Sequence, residues 1–510
     1  MAQINVIHLT FGYEGSFDTI FENVSFSIDT AWKLGLLGRN GKGKTTFLRL
    51  LQGRYEYEGT ISTSTMFDYF PYPVQERELE RTAAELMEKW KTGAELWRVL
   101  CELETLGLEA ELLYRSFGTL SQGERTKVML AVLFSGENDF LLIDEPTNHL
   151  DGDSREVVKK YLASKKGFIL VSHDRDLLDA CIDHVLVLNR QTIEVQTGNF
   201  SSWWENKQRQ DHFSRMENEK CLKEIGKLQE AADRSGRWAQ KNENTKIGFD
   251  PKREPDRCIS TRSYIGAKTK KMESRVRNYE KRIEREIKEK EGLLQDVENP
   301  VDLKLMPLVH HKKRLIRAYE LGLRYEDADR WLFEGMQFEL CRGERMFLAG
   351  ANGCGKSSLI KAILESAQVT GQGTTEGLHS KGTLETASGL VISYVQQDTG
   401  FLQGSLREFC RDRKLEESLF RALLRKLDLE REQFAKNMEE YSEGQKKKVL
   451  IAASLMTPAH LYIWDEPLNY IDVFSRMQIE KLILDYGPTM LLIEHDVKFR
   501  EKIATKILHM

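Results

Sequence analysis

An internal repeat constrains the fold of this 510-residue chain more than any other sequence feature. Four motifs of the first half return in the same order about 320 residues later, as expected of a duplicated unit. The motif pairs are GRNGKGKT and GANGCGKS, LSQGE and YSEGQ, LLIDEPTNHLD and YIWDEPLNYID, and ILVSHD and LLIEHD. The chain therefore divides into two copies of one cassette, 1–202 and 302–510, separated by residues 203–301.

Short apolar runs stand next to these motifs and predict the secondary structure of each cassette. The runs are KLGLLG, FLLID and FILVS in the first copy and RMFLAG, LYIWD and MLLIE in the second. Nearly continuous apolar segments of this length are typical of buried parallel strands. Sequence of helical composition carries LSQGE between the first and third motifs. We therefore predict an α/β fold in which a parallel sheet is joined by a helical subdomain.

Composition restricts the class of protein. Hydrophobic residues make up 40% of the chain, which is enough for packed cores, and the formal net charge is only −4. The seven cysteines form no CxxC pair, which favours reduced thiols over disulfides or a zinc site. The N-terminus lacks a signal-peptide pattern, and no run reaches the roughly 18–20 apolar residues of a membrane helix. We expect a soluble, cytoplasmic protein.

Two glycine-rich loops match G-x-x-x-x-G-K-[ST], each between a strand and a helix. Such loops turn backbone N–H groups toward a phosphate chain, with lysine on the β- and γ-phosphates and the last hydroxyl on Mg²⁺. Two coincidental glycine-rich turns are much less plausible. The predicted ATP-binding residues are Gly38, Asn40, Gly41, Gly43, Lys44, Thr45 and Thr46 in the first loop and Gly350, Asn352, Gly353, Gly355, Lys356, Ser357 and Ser358 in the second.

Acidic pairs follow the apolar run of the third motif in both cassettes. Asp144 and Asp465 end these runs, where a carboxylate can reach the Mg²⁺ bound by Thr45 or Ser357. Glu145 and Glu466 come next and are predicted to polarise an attacking water. An Asp-Glu pair alone is usually a solvated turn, but its position after an apolar strand in both copies favours catalysis.

Two further residue types recur in both cassettes. His173 and His495 each end an apolar run, and their duplication favours a γ-phosphate or water contact over a purely structural histidine. Tyr13 and Tyr325 precede the two phosphate loops by equal distances, so each could stack on a purine. Packing in the core is the alternative for both tyrosines.

Together these motifs resemble those of ATP-binding cassette proteins, with Walker A loops, signature segments, Walker B strands, D-loops and switch histidines. The resemblance implies an ATPase that uses ATP and Mg²⁺ at two composite sites. In a head-to-tail arrangement, the first site joins Lys44 to the signature of the second cassette, and the second site joins Lys356 to that of the first. The implied signature residues are Ser442, Glu443 and Gly444 for the first site and Ser121, Gln122 and Gly123 for the second.

The two sites depart from this pattern unequally. Gln397 matches the glutamine expected to bind Mg²⁺, whereas Tyr72 occupies the corresponding position of the first cassette and Gln75 lies three residues further. YSEGQ also lacks the usual leucine and one glycine of the signature. We expect altered metal and water coordination at the first site and unequal sites overall.

Residues 203–301 predict an α-helical antiparallel coiled-coil linker. Apolar residues recur at spacings of three and four at Cys221, Ile225, Leu228 and Ala232 and again at Met272, Val276, Tyr279 and Ile283. Between 241 and 285 there are 14 Lys or Arg and 7 Asp or Glu, which favours contact with a phosphate backbone over an ordinary solvated face. The tip is predicted at about 243–264, and its partner-facing residues are Phe249, Arg257, Cys258, Ile259, Ser260, Thr261, Arg262 and Tyr264.

Paired cassettes, this linker and EPTNHLD resemble the ABC-F ATPases, and the Lsa antibiotic-resistance group in particular. The resemblance implies a monomer with intramolecular cassette pairing that binds the tRNA exit site of the bacterial ribosome. Its tip would face 23S rRNA and P-site tRNA near the peptidyl-transferase centre and protect against lincosamides, streptogramin A and pleuromutilins, with no membrane or DNA partner. The alternatives are a translation factor that acts without drug, the ATPase of a transporter, and a linker that is a passive spacer.

Overall fold

The computed structural model describes most of both cassettes and the first part of the segment between them. The described residues are 3–13, 19–39, 41, 43–136, 139–148, 150–188, 193–247, 274, 278–279, 281–283, 285, 305–326, 330–367, 377–427 and 429–510. The chain forms two compact units, of which one contains Met1–Trp203 and Val301–Met510 and the other contains Trp204–Pro300. Both cassettes therefore belong to one unit.

The first cassette contains nine strands and six helices within the described residues. Its strands are β1 (Gln3–Gly12), β2 (Thr19–Asp29), β3 (Lys33–Leu37), β4 (Glu58–Ser62), β5 (Met66–Phe70), β6 (Asp139–Asp144), β7 (Phe168–Val171), β8 (His184–Leu188) and β9 (Ile193–Thr197). Its helices are α1 (Lys44–Leu51), α2 (Ala83–Trp90), α3 (Leu96–Thr105), α4 (Gln122–Phe134), α5 (Gly152–Ser164) and α6 (Arg175–Cys181). Short 3₁₀ helices span Glu76–Glu78, Ala110–Tyr114 and Phe117–Thr119.

The second cassette repeats most of this order. Its strands are β10 (Arg314–Tyr325), β11 (Phe333–Cys341), β12 (Arg345–Ala349), β13 (Leu378–Thr386), β14 (Ile392–Val395), β15 (Leu461–Asp465), β16 (Met490–Ile493) and β17 (Lys506–His509). Its helices, numbered on from the linker helix α7 (Phe200–Ile247), are α8 (Lys356–Ser366), α9 (Leu406–Asp412), α10 (Glu417–Lys426), α11 (Glu443–Met456), α12 (Val473–Tyr486) and α13 (Val497–Ile503). Two 3₁₀ helices span Arg431–Ala435 and Met438–Glu440.

The predicted parallel sheets are confirmed in both cassettes. The orders are β5-β6-β7-β3-β8-β9, parallel except for the β8–β9 pair, and β14-β15-β16-β12-β17, parallel throughout. Every residue of β7, β15 and β16 is buried, as near-continuous apolar runs require when both faces of a sheet are covered. The carboxyl ends of β6 and β15 carry Asp144 and Asp465.

Each cassette also contains a three-stranded antiparallel sheet that the apolar runs did not predict. The orders are β2-β1-β4 and β11-β10-β13. These strands mix buried and exposed residues, as in a sheet with one face on the core and one in water. The missed signal was therefore a mixed burial pattern rather than a continuous apolar one.

The linker begins as one long helix. α7 contains 48 residues and, at 1.5 Å per residue, is about 72 Å long. It begins at Phe200, before the predicted boundary at 203, and its last residues, 243–247, fall within the predicted tip. On the predicted seam, Ile225 is buried. The remainder of the tip, with all eight partner-facing residues, lies outside the described residues.

Candidate functional site

Two cavities, each of about 690 Å³, lie between the cassettes. The first site brings together predicted residues of both halves, namely Tyr13, Gly41, Gly43, Lys44, Thr45, Thr46, Glu145 and His173 with Ser442, Glu443 and Gly444. The second site brings together Tyr325, Asn352, Gly353, Gly355, Lys356, Ser357, Ser358, Gln397, Glu466 and His495 with Ser121, Gln122 and Gly123. Each cavity thus has a phosphate loop on one side and the opposite signature on the other. Asn40 lies outside the described residues.

The phosphate loops owe their shape to glycines at the start of α1 and α8. Gly43 and Gly355 have φ angles of 86° and 101°, a left-handed conformation that L side chains rarely adopt. A Cβ atom on Gly43 would also lie 2.5 Å from Ile20 Cγ2. The Nζ of Lys44 donates to the Gly38 carbonyl at 2.6 Å, and the second loop repeats this bond from Lys356 to Gly350 at 2.7 Å.

The two tyrosines predicted to stack on a purine are anchored by their hydroxyls. Tyr13 OH lies 2.8 Å from Thr46 Oγ1, and Tyr325 OH lies 2.9 Å from Ser358 Oγ. Both tyrosine side chains are exposed, and both line their cavities. An aromatic face with a fixed hydroxyl beside a phosphate loop is suited to stacking on a base.

The signature serines begin helices that face the cavities. Ser121 Oγ accepts a hydrogen bond from the Glu124 N–H at 3.2 Å, and the Glu124 carboxylate accepts one from the Ser121 N–H. Ser442 and Gln445 form the same capping box at the start of α11. Caps of this kind leave other N–H groups of the first turn available for an anion, and the helix dipole favours negative charge there.

The two catalytic candidates share an unusual backbone. Glu145 and Glu466 have φ angles of 51° and 47°, in the left-handed region where a non-glycine residue is uncommon. The neighbouring strand holds each turn in place, since the Glu145 N–H donates to Val171 O at 2.8 Å and the Glu466 N–H donates to Ile493 O at 3.0 Å. Conformations of this type are concentrated at functional sites.

The side chain of Glu466 is held by three groups. Its Oε2 accepts hydrogen bonds from Gln397 Nε2 at 2.9 Å and Asn469 Nδ2 at 2.8 Å, and its Oε1 lies 3.5 Å from His495 Nε2. Burial opposes ionisation, but the hydrogen bond from His495 and nearby positive charges outweigh it and lower the pKa of Glu466. The environment of Glu466 therefore favours the ionised carboxylate, the form that can accept a proton.

Glu145 has a different environment. The carboxylate of Glu145 lies beside His173, with His173 Nε2 3.3 Å from Oε1, and the His173 N–H donates to Oε2 at 3.3 Å. Burial and the charge of Asp144 raise the pKa of Glu145 to about 8. Asn148, the counterpart of Asn469, lines the cavity without a bond to this carboxylate.

The residues predicted to bind magnesium are suited to that cation. Thr45 Oγ1 donates to Asp144 Oδ2 at 3.0 Å, and Ser357 lies close enough to Asp465 to oppose the rise in the pKa of that carboxyl. Asp465 Oδ1 is buried and has no hydrogen-bond partner among the described residues, and burial raises the pKa of Asp465 to about 6. A buried acceptor beside a hydroxyl and a phosphate loop fits the oxygen-ligand preference of Mg²⁺.

The glutamine position differs between the sites in a way the sequence did not reveal. Tyr72, at that position in the first cassette, turns away from the metal carboxylate and donates to Asp68 Oδ2 at 2.7 Å. Tyr69 approaches instead, and its hydroxyl donates to Asp144 Oδ2 at 3.0 Å. Gln397 contacts Glu466, so its metal contact stays a prediction. Tyr69 lies near the end of β5, the strand beside β6, and this position is the sequence feature that could have identified it.

Several cavity residues were missed by the sequence analysis. Asn148 and Asn469 recur at the same place in EPTN and EPLN, so the repeat itself could have revealed them. Glu430, Gln433 and Lys448 reach the first site from the second cassette. No local motif identifies these three, because they belong to the site only when the halves pair.

A buried charge cluster joins the cassettes beside the sites. Arg175 of α6 forms an ion pair with Glu480 of α12, and their side chains are 4% and 5% exposed. Its Nη2 also lies 3.8 Å from Asp496 Oδ1, while Arg476 Nη1 lies 3.1 Å from Asp496 Oδ2. The residue after Asp496, equivalent to Arg175, is Val497, so this cross-cassette contact has no symmetric copy.

The same helix α6 holds the first turn of α7. Asp179 accepts hydrogen bonds from the N–H and Oγ of Ser201 at 2.7 and 2.6 Å. Trp203, in that turn, packs edge-on against Phe474 of α12 with ring centroids 6.0 Å apart. The start of the linker helix therefore contacts an element of each cassette, and α6 begins directly after His173 and Asp174.

A family comparison agrees with the repeat. The family described as "ABC transporter" matches residues 21–148 and again 333–469, which together make up just over half of the chain. Each matched range contains a phosphate loop, a signature segment and an Asp-Glu pair. Among the described residues, no helix combines the length and apolar character needed to cross a bilayer.

Similar proteins cover nearly the whole chain. The "Ribosome protection protein VmlR" of Bacillus subtilis is 27% identical over 97% of this chain and 85% of its own length. The "Erythromycin resistance ATP-binding protein MsrA" of Staphylococcus epidermidis is 26% identical over 93% and 91%. A solved complex of the archaeal ribosome recycling factor aABCE1 with the stalk protein aP1 matches with a TM-score of 0.61, 18% identity and coverage of 98% of this chain and 87% of that one. The structural match shows the tandem fold.

Proposed function

Because the chain belongs to the ABC transporter family, with its ATPase domain present twice, we propose that it is a ribosome-associated ATPase of the ABC-F type that protects ribosomes from antibiotics. The relatives support this proposal, since one is named a ribosome protection protein and another an erythromycin resistance protein. The finer assignment to the Lsa group stays part of the proposal.

The observation that carries the proposal is the pairing of both composite sites within one chain. Each cavity combines a phosphate loop with the signature of the other cassette, so two ATP molecules between them would hold the halves together. No second chain is needed to complete a site, which supports the proposal of a monomer. Loss of the γ-phosphate would remove the group facing Ser121 or Ser442 and release the halves.

We further propose that the nucleotide state reaches the linker through α6. His173 contacts Glu145, and Arg175 and Asp179 on the following helix contact the second cassette and the first turn of α7. A shift of α6 on hydrolysis would therefore act at once on the cassette interface and on the start of α7. This arrangement argues against a passive spacer.

The chemistry at the second site follows from its own groups. Glu466, with its lowered pKa, is the base that accepts a proton from the attacking water, while Gln397 and Asn469 fix its orientation. Lys356 and the first turn of α4 stabilise the charge on the phosphates. When bound by Asp465 and Ser357, Mg²⁺ would add Lewis-acid stabilisation of the same charge. The first site, where no side-chain amide donates to Glu145 among the described residues, is proposed to hydrolyse more slowly.

The site of action is proposed from the linker composition. Basic residues around 241–285 suit an RNA-lined cavity, and the proposed location is the tRNA exit site with the tip near the peptidyl-transferase centre. The residues proposed to face 23S rRNA and P-site tRNA are Phe249, Arg257, Cys258, Ile259, Ser260, Thr261, Arg262 and Tyr264. The resemblance to the Lsa group supports the further proposal that the chain protects against lincosamides, streptogramin A and pleuromutilins.

Drug susceptibility is the direct test. Expression in a sensitive bacterium should raise the inhibitory concentration of a pleuromutilin and a lincosamide. Replacement of 257–264 by a short Gly/Ser loop should abolish this protection and leave ATP hydrolysis largely intact. Unchanged susceptibility with the intact chain would reject the resistance function and favour a translation factor that acts without drug.

Ribosome association needs a separate measurement. A Glu145→Gln/Glu466→Gln variant should bind ATP without hydrolysing it and co-sediment with ribosomes in ATP but not in ADP. A Lys44→Ala/Lys356→Ala variant is the matched control that cannot bind the phosphates. Sedimentation with membranes instead of ribosomes would favour the ATPase of a transporter.

A further inference from the structure

We propose that Tyr69 is a positioning residue of the first site, where it orients the metal-binding carboxylate of Asp144. Its hydroxyl and that of Thr45 both donate to Asp144 Oδ2, each at 3.0 Å. Hydrogen bonds to a ligand from outside the coordination sphere fix its orientation and tune its affinity for the metal. The inference rests on the ATPase activity alone and is independent of any ribosomal role.

The strand register shows why this tyrosine is placed at the site. β5 runs parallel to β6, with Phe70 opposite Ile143, so Tyr69 precedes the strand end that lies beside Asp144. The second cassette has the same register, with Val395 opposite Trp464, and places Tyr394 at the equivalent position. Position and residue type are therefore shared by the two cassettes.

The contact itself is not shared. The strand register places Tyr394 one residue before the strand end beside Asp465, yet no hydrogen bond joins these two side chains in the described second site. Asp465 Oδ1 is left without a partner there. Within the described parts of both sites, a loop hydroxyl and a tyrosine hydroxyl donate to the same carboxylate oxygen only at the first site, at Asp144 Oδ2.

The contact between Tyr69 and Asp144 occurs in the cassette that has Tyr72 in place of the glutamine corresponding to Gln397. Tyr72 is directed to Asp68, and its ring stacks on Trp90 with centroids 5.2 Å apart, so it cannot replace that amide at the site. Gln75 begins the 3₁₀ helix Glu76–Glu78, where its backbone N–H donates to Glu78 Oε2 at 3.1 Å. The first site thus supports its metal carboxylate, whereas the second supports its catalytic glutamate through Gln397. This division suits retention of nucleotide at the first site and hydrolysis at the second.

The test compares Tyr69→Phe with Tyr394→Phe, one site at a time. Lys356→Ala isolates the first site for Tyr69→Phe, and Lys44→Ala isolates the second for Tyr394→Phe. Binding of a fluorescent ATP analogue is titrated with Mg²⁺, and Mn²⁺ binding in the presence of ATP is followed by electron paramagnetic resonance. Tyr69→Phe should raise the half-saturating metal concentration roughly tenfold, in line with the loss of an outer-sphere partner. Tyr394→Phe should change it by less than about twofold, since no ligand contact is removed.

A readout without metal separates positioning from general packing. Nucleotide affinity in EDTA and the thermal midpoint without nucleotide should be the same for Tyr69→Phe and its parent, because phenylalanine keeps the ring. An unchanged metal dependence would overturn the proposal. So would an equal shift in both tyrosine variants, or a loss of affinity in EDTA as large as that with Mg²⁺.

Discussion

Removal of the Arg175 guanidinium should weaken closure of the cassettes without damaging either one. Arg175→Met leaves Glu480 with Lys502, whose Nζ lies 3.3 Å away, and leaves Asp496 with Arg476. Breaking a buried pair by removing one partner costs about 3–5 kcal/mol, and these remaining cations favour the low end, about 3 kcal/mol. The cost arises only in the closed state, because both side chains are solvated when the cassettes separate.

This cost can be read from steady-state kinetics. Divided between two bound ATP molecules, about 3 kcal/mol corresponds to roughly a tenfold rise in the KM for ATP. Lys159→Met is the matched control, since Lys159 pairs with Glu156 and Asp176 of its own cassette. Adding Glu480→Met to Arg175→Met should restore most of the affinity, because no buried carboxylate is left uncompensated. An unchanged KM for Arg175→Met, or a double variant worse than the single one, would refute the reasoning.

Other expectations concern thiols, a loop glycine and the metal. Burial raises the pKa of Cys181 to about 12 and of Cys410 to about 11, so peptide mapping after alkylation at pH 8 should find exposed Cys101 modified first and these two only after unfolding. Raising the pH toward 9 should increase their thiolate fractions about tenfold per unit while leaving them minor. Gly355→Ala should abolish tight ATP binding at the second site, measured in a Lys44→Ala background, because φ is 101° and its Cβ would lie 3.2 Å from Leu332 Cβ. Chelation of Mg²⁺ should stop the release of phosphate from ATP and reduce thermal stabilisation by ATP, and added Mg²⁺ should restore both.

The sequence identified those parts of the fold that depend on local pattern. Apolar runs marked β3, β6, β7, β12, β15 and β16, since a strand buried on both faces needs side chains that are apolar throughout. The phosphate loops and acidic pairs were visible for a similar reason, because their chemistry requires fixed spacing along the chain. The strands of the antiparallel sheets mix buried and exposed residues and were missed by a search for continuous apolar runs.

Features that depend on pairing between distant segments could not be predicted in the same way. Arg175 follows the switch histidine as an ordinary helix residue, and its partner Glu480 lies 305 positions away. The sequence placed Tyr72 at the first site, but its hydroxyl donates to Asp68, four residues earlier in the chain. Tyr69, on β5, contacts Asp144 instead. A duplicated motif shows which residue types contact a ligand. It does not show which side-chain rotamer each residue adopts, because the rotamer depends on packing against distant residues.

Each cavity is built from both halves of the chain, which determines how mutations in the two halves of the gene should interact. Ser442 and Lys44 line one cavity, so a substitution at Ser442 is expected to act on the nucleotide proposed to bind at Lys44. Mutations in opposite halves of the gene could then affect one site, and mutations in the same half could affect different sites. A fragment that carries one half contains a phosphate loop and a signature that belong to different cavities of the intact chain. When the two halves are expressed as separate chains, ATP hydrolysis at these composite sites should therefore require that the halves associate, and the rate of hydrolysis would measure that association.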